Sequence, residues 1–254
     1  MENPRVEAQA EPSSVEINPG AKFEIRQPGD VLYSGSISGS RLPNEYGLAV
    51  GHAFPNDHGD VAVIDGKRLG ICKAKFDVIG NPPITADMSF LQLVDSCFFT
   101  RNILTVRRMG DIEGQQRYKL KLYKEMVRPK LEVMIVDKNG IGHDGIVQRA
   151  SFTDKKDDKH KFYNTLTIRC EGANFSEVER GDCGGLVTTR PSFDHVSVLG
   201  FVIAKDMVSR EAIVNGVWNV MKALDLDVVN RRKLFDVDEV KILDDVDFAS
   251  SSDS

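Results

Sequence analysis

Short apolar runs, rich in β-branched residues and bounded by Gly, Asn and Asp, follow one another along this chain. They include "GLAVGHAF", "GDVAVIDGKRLGICKAKF", "DMSFLQLV", "NILTVRRM", "YKLKLYKEM", "KLEVMIVDKNG", "GIVQRASF", "YNTLTIRCEG", "GLVTT" and "VSVLGFVIA". Runs of this length and composition, closed by turn residues, predict strands rather than helices. Many short strands without intervening helices predict an all-β barrel or sandwich. The one helical spacing is late, in "GVWNVMKALDLDV", where Val217, Val220, Met221 and Leu224 share a face.

With 254 residues and 41% hydrophobic composition, the chain has enough apolar mass for one sizeable core with tails. Residues 1–28 are rich in Glu, Pro, Ser and Ala and are expected to form a flexible arm. The stretch "VDEVKILDDVDFASSSDS" makes residues 229–254 an expected acidic tail.

Thirty-three basic residues stand against 38 acidic ones, for a net charge of -5. That balance excludes binding to nucleic acid through phosphate neutralisation as a main role. The N-terminus lacks the basic start and apolar stretch of a signal peptide, and no window is long and apolar enough to span a membrane. The expectation is a soluble, unsecreted, cytoplasmic chain. Cys72, Cys97, Cys170 and Cys183 show no CxxC spacing. They predict free thiols in a reducing compartment, with neither a disulfide framework nor a metal site, and no cofactor is called for.

One thiol has unusual neighbours. In "ERGDCGGLV", Cys183 sits among Gly181, Gly184 and Gly185. Glycines let the backbone turn sharply and come close to another molecule. If the N–H groups of Gly181 and Cys183 converge, they form a hole for a developing oxyanion beside the sulfur, as acyl transfer needs. A tight turn around a buried cysteine accounts for these five residues equally well.

The segment "GDCGG" resembles the nucleophile motif "GDSGG" of chymotrypsin-like proteases, with cysteine in place of serine as in the picornavirus-type cysteine proteases. That family orders its residues His, Asp, nucleophile along the chain. "EYGLAVGHAF" is similar to the strand and "AAH" segment that carries the family's base, which points to His52. His58, His143, His160 and His195 sit in polar or charged turns and read as loop residues. "ADMSFLQL" resembles the family's "DIALLKL" and makes Asp87 the acid. Asp60 follows His52 too closely for the strands that separate base from acid.

Two further segments extend the resemblance, which covers roughly residues 29–228. "VDKNGIGHDGIV" is similar to the hairpin opening the family's second barrel, and "VSVLGFVIAKD" with "AIVNGVWNVMKAL" to its substrate-binding strand, last strand and C-terminal helix. The resemblance implies a chymotrypsin-like double barrel: two six-stranded antiparallel β-barrels, at about residues 29–120 and 121–228, with a C-terminal helix. It also implies a peptide or protein substrate lying along Ile203 and Ala204.

The implied chemistry is that of a cysteine endopeptidase. His52 takes the Cys183 thiol proton, Asp87 fixes the imidazole, and the thiolate forms a thioester with the substrate acyl group. Glu177, six residues before the nucleophile, stands where the family often lines the base of its primary pocket, which would favour Arg or Lys at the cleaved residue. A solvated loop glutamate accounts for it as well. Val202 fills the place of the histidine with which picornavirus-type enzymes select glutamine, so a glutamine preference is not expected. Asp182 is expected to find another partner or to cap the turn, because no processed N-terminus is foreseen to pair with it. Two other readings keep the same residues: an inactive protease-like binding module, and a thiol redox sensor built on Cys183 beside His52.

Overall fold

A computed structural model of the chain describes residues 15–17, 21–27, 30–38, 46–57, 59–94, 97–99, 103–108, 114–137, 139–154, 161–170, 183–206, 209 and 211–226. The expected all-β architecture is present: the described residues form sixteen strands and one α-helix, arranged as two barrel-like halves.

The first half is a closed barrel of six strands. They are β2 (Ala21–Gln27), β3 (Asp30–Ser38), β4 (Tyr46–Val50), β5 (Val61–Ile64), β6 (Lys67–Ile79) and β7 (Ile84–Leu93), hydrogen-bonded in the order β2-β3-β4-β7-β6-β5. The β5–β6 hairpin turns on Asp65 and Gly66 at φ 49° and 76°, the left-handed pair that a two-residue hairpin turn requires. Beside the barrel, β1 (Val15–Ile17) pairs in parallel with β8 (Cys97–Phe99).

Strands β1 and β2 correct the expected arm. Residues 15–17 and 21–27 form ladders, and Phe23 and Ile25 on β2 have no solvent exposure. Glu and Pro dominate the composition of the segment as a whole, but the alternation of Phe23 and Ile25 is a strand signal, and burying each contributes about 1.5–3 kcal/mol. Phe23 stacks on Phe54 with ring centroids 5.5 Å apart, which ties β2 to the turn after β4.

The second half contains β9 (Ile103–Arg108), β10 (Gln116–Leu122), β11 (Glu132–Val136), β12 (Ile141–Asp154), β13 (Phe162–Cys170), β14 (Leu186–Thr189), β15 (His195–Asp206) and β16 (Glu211–Gly216). Antiparallel pairings run β12-β11-β14-β15-β16-β13 and return to β12, giving a ring of six strands. The β9–β10 hairpin was expected in the first barrel. It belongs with the second: β9 runs parallel to β12 and β10 parallel to β15. Its Leu104, Val106, Tyr118 and Leu120 share a cluster with Met134, Val136, Leu186 and Val196.

Helix α1 (Val217–Leu226) occupies the expected late segment and packs on β7, β15 and β16. Phe201, Ile203, Ile213 and Val220 from the second half join Phe54, Met88, Phe90 and the rest of the first barrel's core in one apolar cluster, against which Cys183 packs. That shared cluster sets the two halves against each other. Among the described residues, no helix is long and apolar enough to cross a membrane.

Candidate active site

The site begins with a register. Strands β4 and β7 pair antiparallel with Val50 opposite Met88, so the next step along each strand brings residue 51 level with residue 87. There β4 ends in a single 3-10 turn, Gly51–Ala53. Gly51 is required at this point, because a Cβ would lie 2.8 Å from the Met88 nitrogen and 3.0 Å from Asp87 Oδ1. The close approach lets Asp87 hold His52 twice. Its Oδ1 accepts the His52 backbone N–H at 2.8 Å, and its Oδ2 meets the imidazole Nδ1 at 2.8 Å.

Asp87 itself stands at φ 34°, a left-handed conformation unusual for a residue other than glycine. The pairing of β6 with β7 shifts there, from Val78 opposite Thr85 to Phe76 opposite Met88, so Ala86 and Asp87 together face Asp77. This is a β-bulge, which re-aims side chains out of the pleat. The Asp87 side chain is 12% exposed and that of His52 is 46% exposed, so a buried carboxylate orients an imidazole that opens to solvent.

The electrostatics follow from that geometry. Partial burial favours the neutral ring, but hydrogen bonds to Asp87 and Cys183, with the charges of both, outweigh it and lift the His52 pKa from 6.5 to about 10. Because Nδ1 is taken by Asp87, Nε2 is the nitrogen left for the thiol.

Cys183 reaches this point from the second half. Gly184, at φ 92°, donates its N–H to the Val202 carbonyl at 2.7 Å, and Val202 N–H donates to the Gly185 carbonyl at 2.9 Å. These bonds hang the turn on β15. The half-buried thiol donates to the Ile203 carbonyl at 3.5 Å. Pairing of β15 with β16 shifts between Val202 and Ala204, so Ile203 stands in a second irregularity beside the sulfur, with half-buried Ala204 next to it. Val202 is buried in the second core cluster, where it has no polar group to offer.

The structure thus brings together His52, Asp87 and Cys183, with Ile203 against the sulfur. Glu177, Gly181 and Asp182 lie outside the described residues, as do His58 and His160. His143 is no loop ornament: its Nε2 pairs with Asp137 Oδ2 at 2.9 Å, with both side chains under one fifth exposed. Half-buried His195 lies 3.4 Å from its neighbour Asp194. Asp60 binds the Asn56 backbone and side-chain nitrogens at 2.9 and 2.6 Å and so caps its own turn.

Two other cysteines have different surroundings. Burial pushes the Cys72 thiol up to about 11 and the Cys170 thiol up to about 12. A buried polar residue with no clear local signal is Asn215 on β16, whose Nδ2 donates to the Ala86 carbonyl next to Asp87. The signal available was an asparagine inside the apolar run "AIVNGVW".

No profile of a known protein family matches the sequence, and no curated protein matches it. Solved structures do. Thermobifida fusca protease A superposes with a TM-score of 0.56 at 13% identity, over 83% of this chain and 97% of that one. The chain has the chymotrypsin-like fold. A Nocardiopsis protease, at 12% identity and a TM-score of 0.56, covers the same shares of the two chains. Cellulomonas bogoriensis chymotrypsin, also 12% identical over 83% of this chain and 97% of its own, gives 0.54. At 12–13% identity these structural neighbours speak for the fold and not for a nucleophile.

Proposed function

We propose that the chain is a cysteine endopeptidase in which His52 is the general base, Asp87 its orienting acid and Cys183 the nucleophile. The observation that supports this most is the double grip of Asp87 on His52, which leaves Nε2 for the Cys183 thiol. Nothing in barrel packing calls for an imidazole fixed in that orientation and left open to solvent.

In the proposed cycle, Nε2 accepts the thiol proton and the sulfur attacks the peptide carbonyl carbon. The resulting oxyanion takes hydrogen bonds from the N–H groups of Cys183 and Gly181. Collapse breaks the C–N bond, and the imidazolium returns its proton to the departing amine. Water, deprotonated by His52, then attacks the thioester and regenerates the thiol. Substrate backbone lies along Ile203 and Ala204, and Glu177 contributes a preference for a basic residue at the cleaved position. Asp87 strengthens the base by stabilising the charged ring, which supports proton transfer from a thiol.

An electrophilic thiol probe at neutral pH tests the nucleophile. Cys183 should label well ahead of Cys72 and Cys170, whose thiols burial holds near 11 and 12, and H52A should slow its labelling. Equal, slow labelling of all three would end the reading. A peptide library cut by the intact chain and not by C183A separates an endopeptidase from a redox sensor or an inactive binding module, and reports the Glu177 preference.

A further inference from the structure

The bulge that aims Asp87 lies on a strand packed against the second half. Thr85 and Ala86, the two residues before Asp87, each accept a hydrogen bond from that half. The Tyr163 backbone N–H, on β13, donates to Thr85 Oγ1 at 2.8 Å. The Asn215 amide, on β16, donates to the Ala86 carbonyl, in the residue just before the acid. Asn215 is fully buried and every residue of β16 is buried with it.

Its backbone is equally fixed. Gly200 on β15 has no Cβ where one would fall 2.0 Å from the Asn215 carbonyl oxygen, so β15 and β16 close tightly around this residue. Ala212, Ile213 and Val214 precede it on the strand, and a buried amide beside such side chains is costly unless both its ends are used. Only one end is used. Asn215 Oδ1 has no partner among the described residues. A residue retained mainly for stability would be better served by an apolar side chain of the same size.

We propose that Asn215 is a positioning residue for Asp87: its amide, held by the second half, clasps the Ala86 carbonyl and locks the bulge that turns the Asp87 carboxylate onto His52. This rests on the reading of Asp87 as the orienting acid. It makes the acid's geometry depend on the half that carries the nucleophile, so the base is aligned only when the two halves are docked.

The test reads His52 directly by NMR titration of its imidazole in a C183A background, where cleavage plays no part. D87A sets the scale by lowering the midpoint. N215A is expected to lower it toward that of D87A by at least about one unit. T85V, which removes only the neighbouring bond to Tyr163, should leave the midpoint within a few tenths of the parent. A midpoint unchanged in N215A while D87A moves it overturns the positioning role alone. A midpoint unchanged in D87A overturns the triad reading and this proposal together.

Unsubstituted Asn215 supplies an arm that survives misfolding of the variant. In the C183A protein its side-chain amide protons should exchange as slowly as neighbouring ladder amides. Exchange within the dead time of the measurement overturns the proposal.

Discussion

Two histidines in this molecule pair with aspartates at nearly the same distance, His52 with Asp87 at 2.8 Å and His143 with Asp137 at 2.9 Å. Both carboxylates also accept backbone N–H groups, but their surroundings differ. The first pair joins the turn after β4 to β7 across 35 residues, uses Nδ1, and has the Cys183 thiol nearby. The second spans six residues of one hairpin and uses Nε2 itself. Asp137 also accepts the N–H groups of Asn139 and Ile141 at 2.8 and 2.9 Å, so its carboxylate is a turn cap. A histidine–carboxylate contact therefore says little by itself. What distinguishes the first pair is the ring nitrogen it uses and the sulfur close to it.

The largest effect should separate the pairs by activity. C183A and H52A should lose peptide cleavage, H52A by roughly 10²–10⁴-fold, while H143A keeps its rate. A loss in H143A as large as that in H52A breaks the comparison. D87A should fall between, because a thiol with a reference pKa near 8.5 needs less help than a serine hydroxyl. A D87A loss equal to that of H52A would show that Asp87 does more than orient.

Gly51→Ala tests the close approach that makes the first pair possible. A methyl group there meets backbone at 2.8 Å, so unfolding stability should drop by about 1–3 kcal/mol and cleavage should fall with it. Unchanged activity in G51A would mean that the β4–β7 register tolerates a wider gap.

Stability against pH should sharpen the contrast. His52 has a folded pKa raised from 6.5 to about 10, so its contribution is fully present below about 6.5 and is lost as pH rises through about 10. Asp137 is the opposite case. Burial pushes its carboxyl up, but the hydrogen bond from His143 and those from Ile141 and Asn139 outweigh it and hold it below 3.8. Its contribution is present above 3.8 and lost as pH falls through the lowered folded value. Thermal midpoints should therefore fall at the alkaline end less in D87A than in the parent, and at the acid end less in D137N. The smallest effect expected is that of D137N at neutral pH, about 1 kcal/mol from the lost turn bonds.

Much of the candidate site was legible in the sequence because its signals are local. The run "GLAVGHAF" carries a strand into a turn, "GDCGG" carries a turn with a thiol, and the order of His52, Asp87 and Cys183 matches a known arrangement. The strand-like runs and the late helix were legible for the same reason: side-chain period and turn residues are properties of a few consecutive positions. Asn215 was not, because a single asparagine in an apolar run carries no information about the carbonyl 129 residues away that it meets.

The sequence by itself thus determined the element type, the late helix and the chemical kinds of residue on offer. Tertiary structure decided which of them meet. It took Phe23 and Ile25 out of an expected arm and into a barrel, and gave the hairpin at 103–122 to the second half. It also made His143 a partner of Asp137 and placed Asn215 behind Asp87. The reason is physical: strand formation is written in local alternation, whereas pairing and burial depend on surfaces far apart in the chain that find each other only when the core closes.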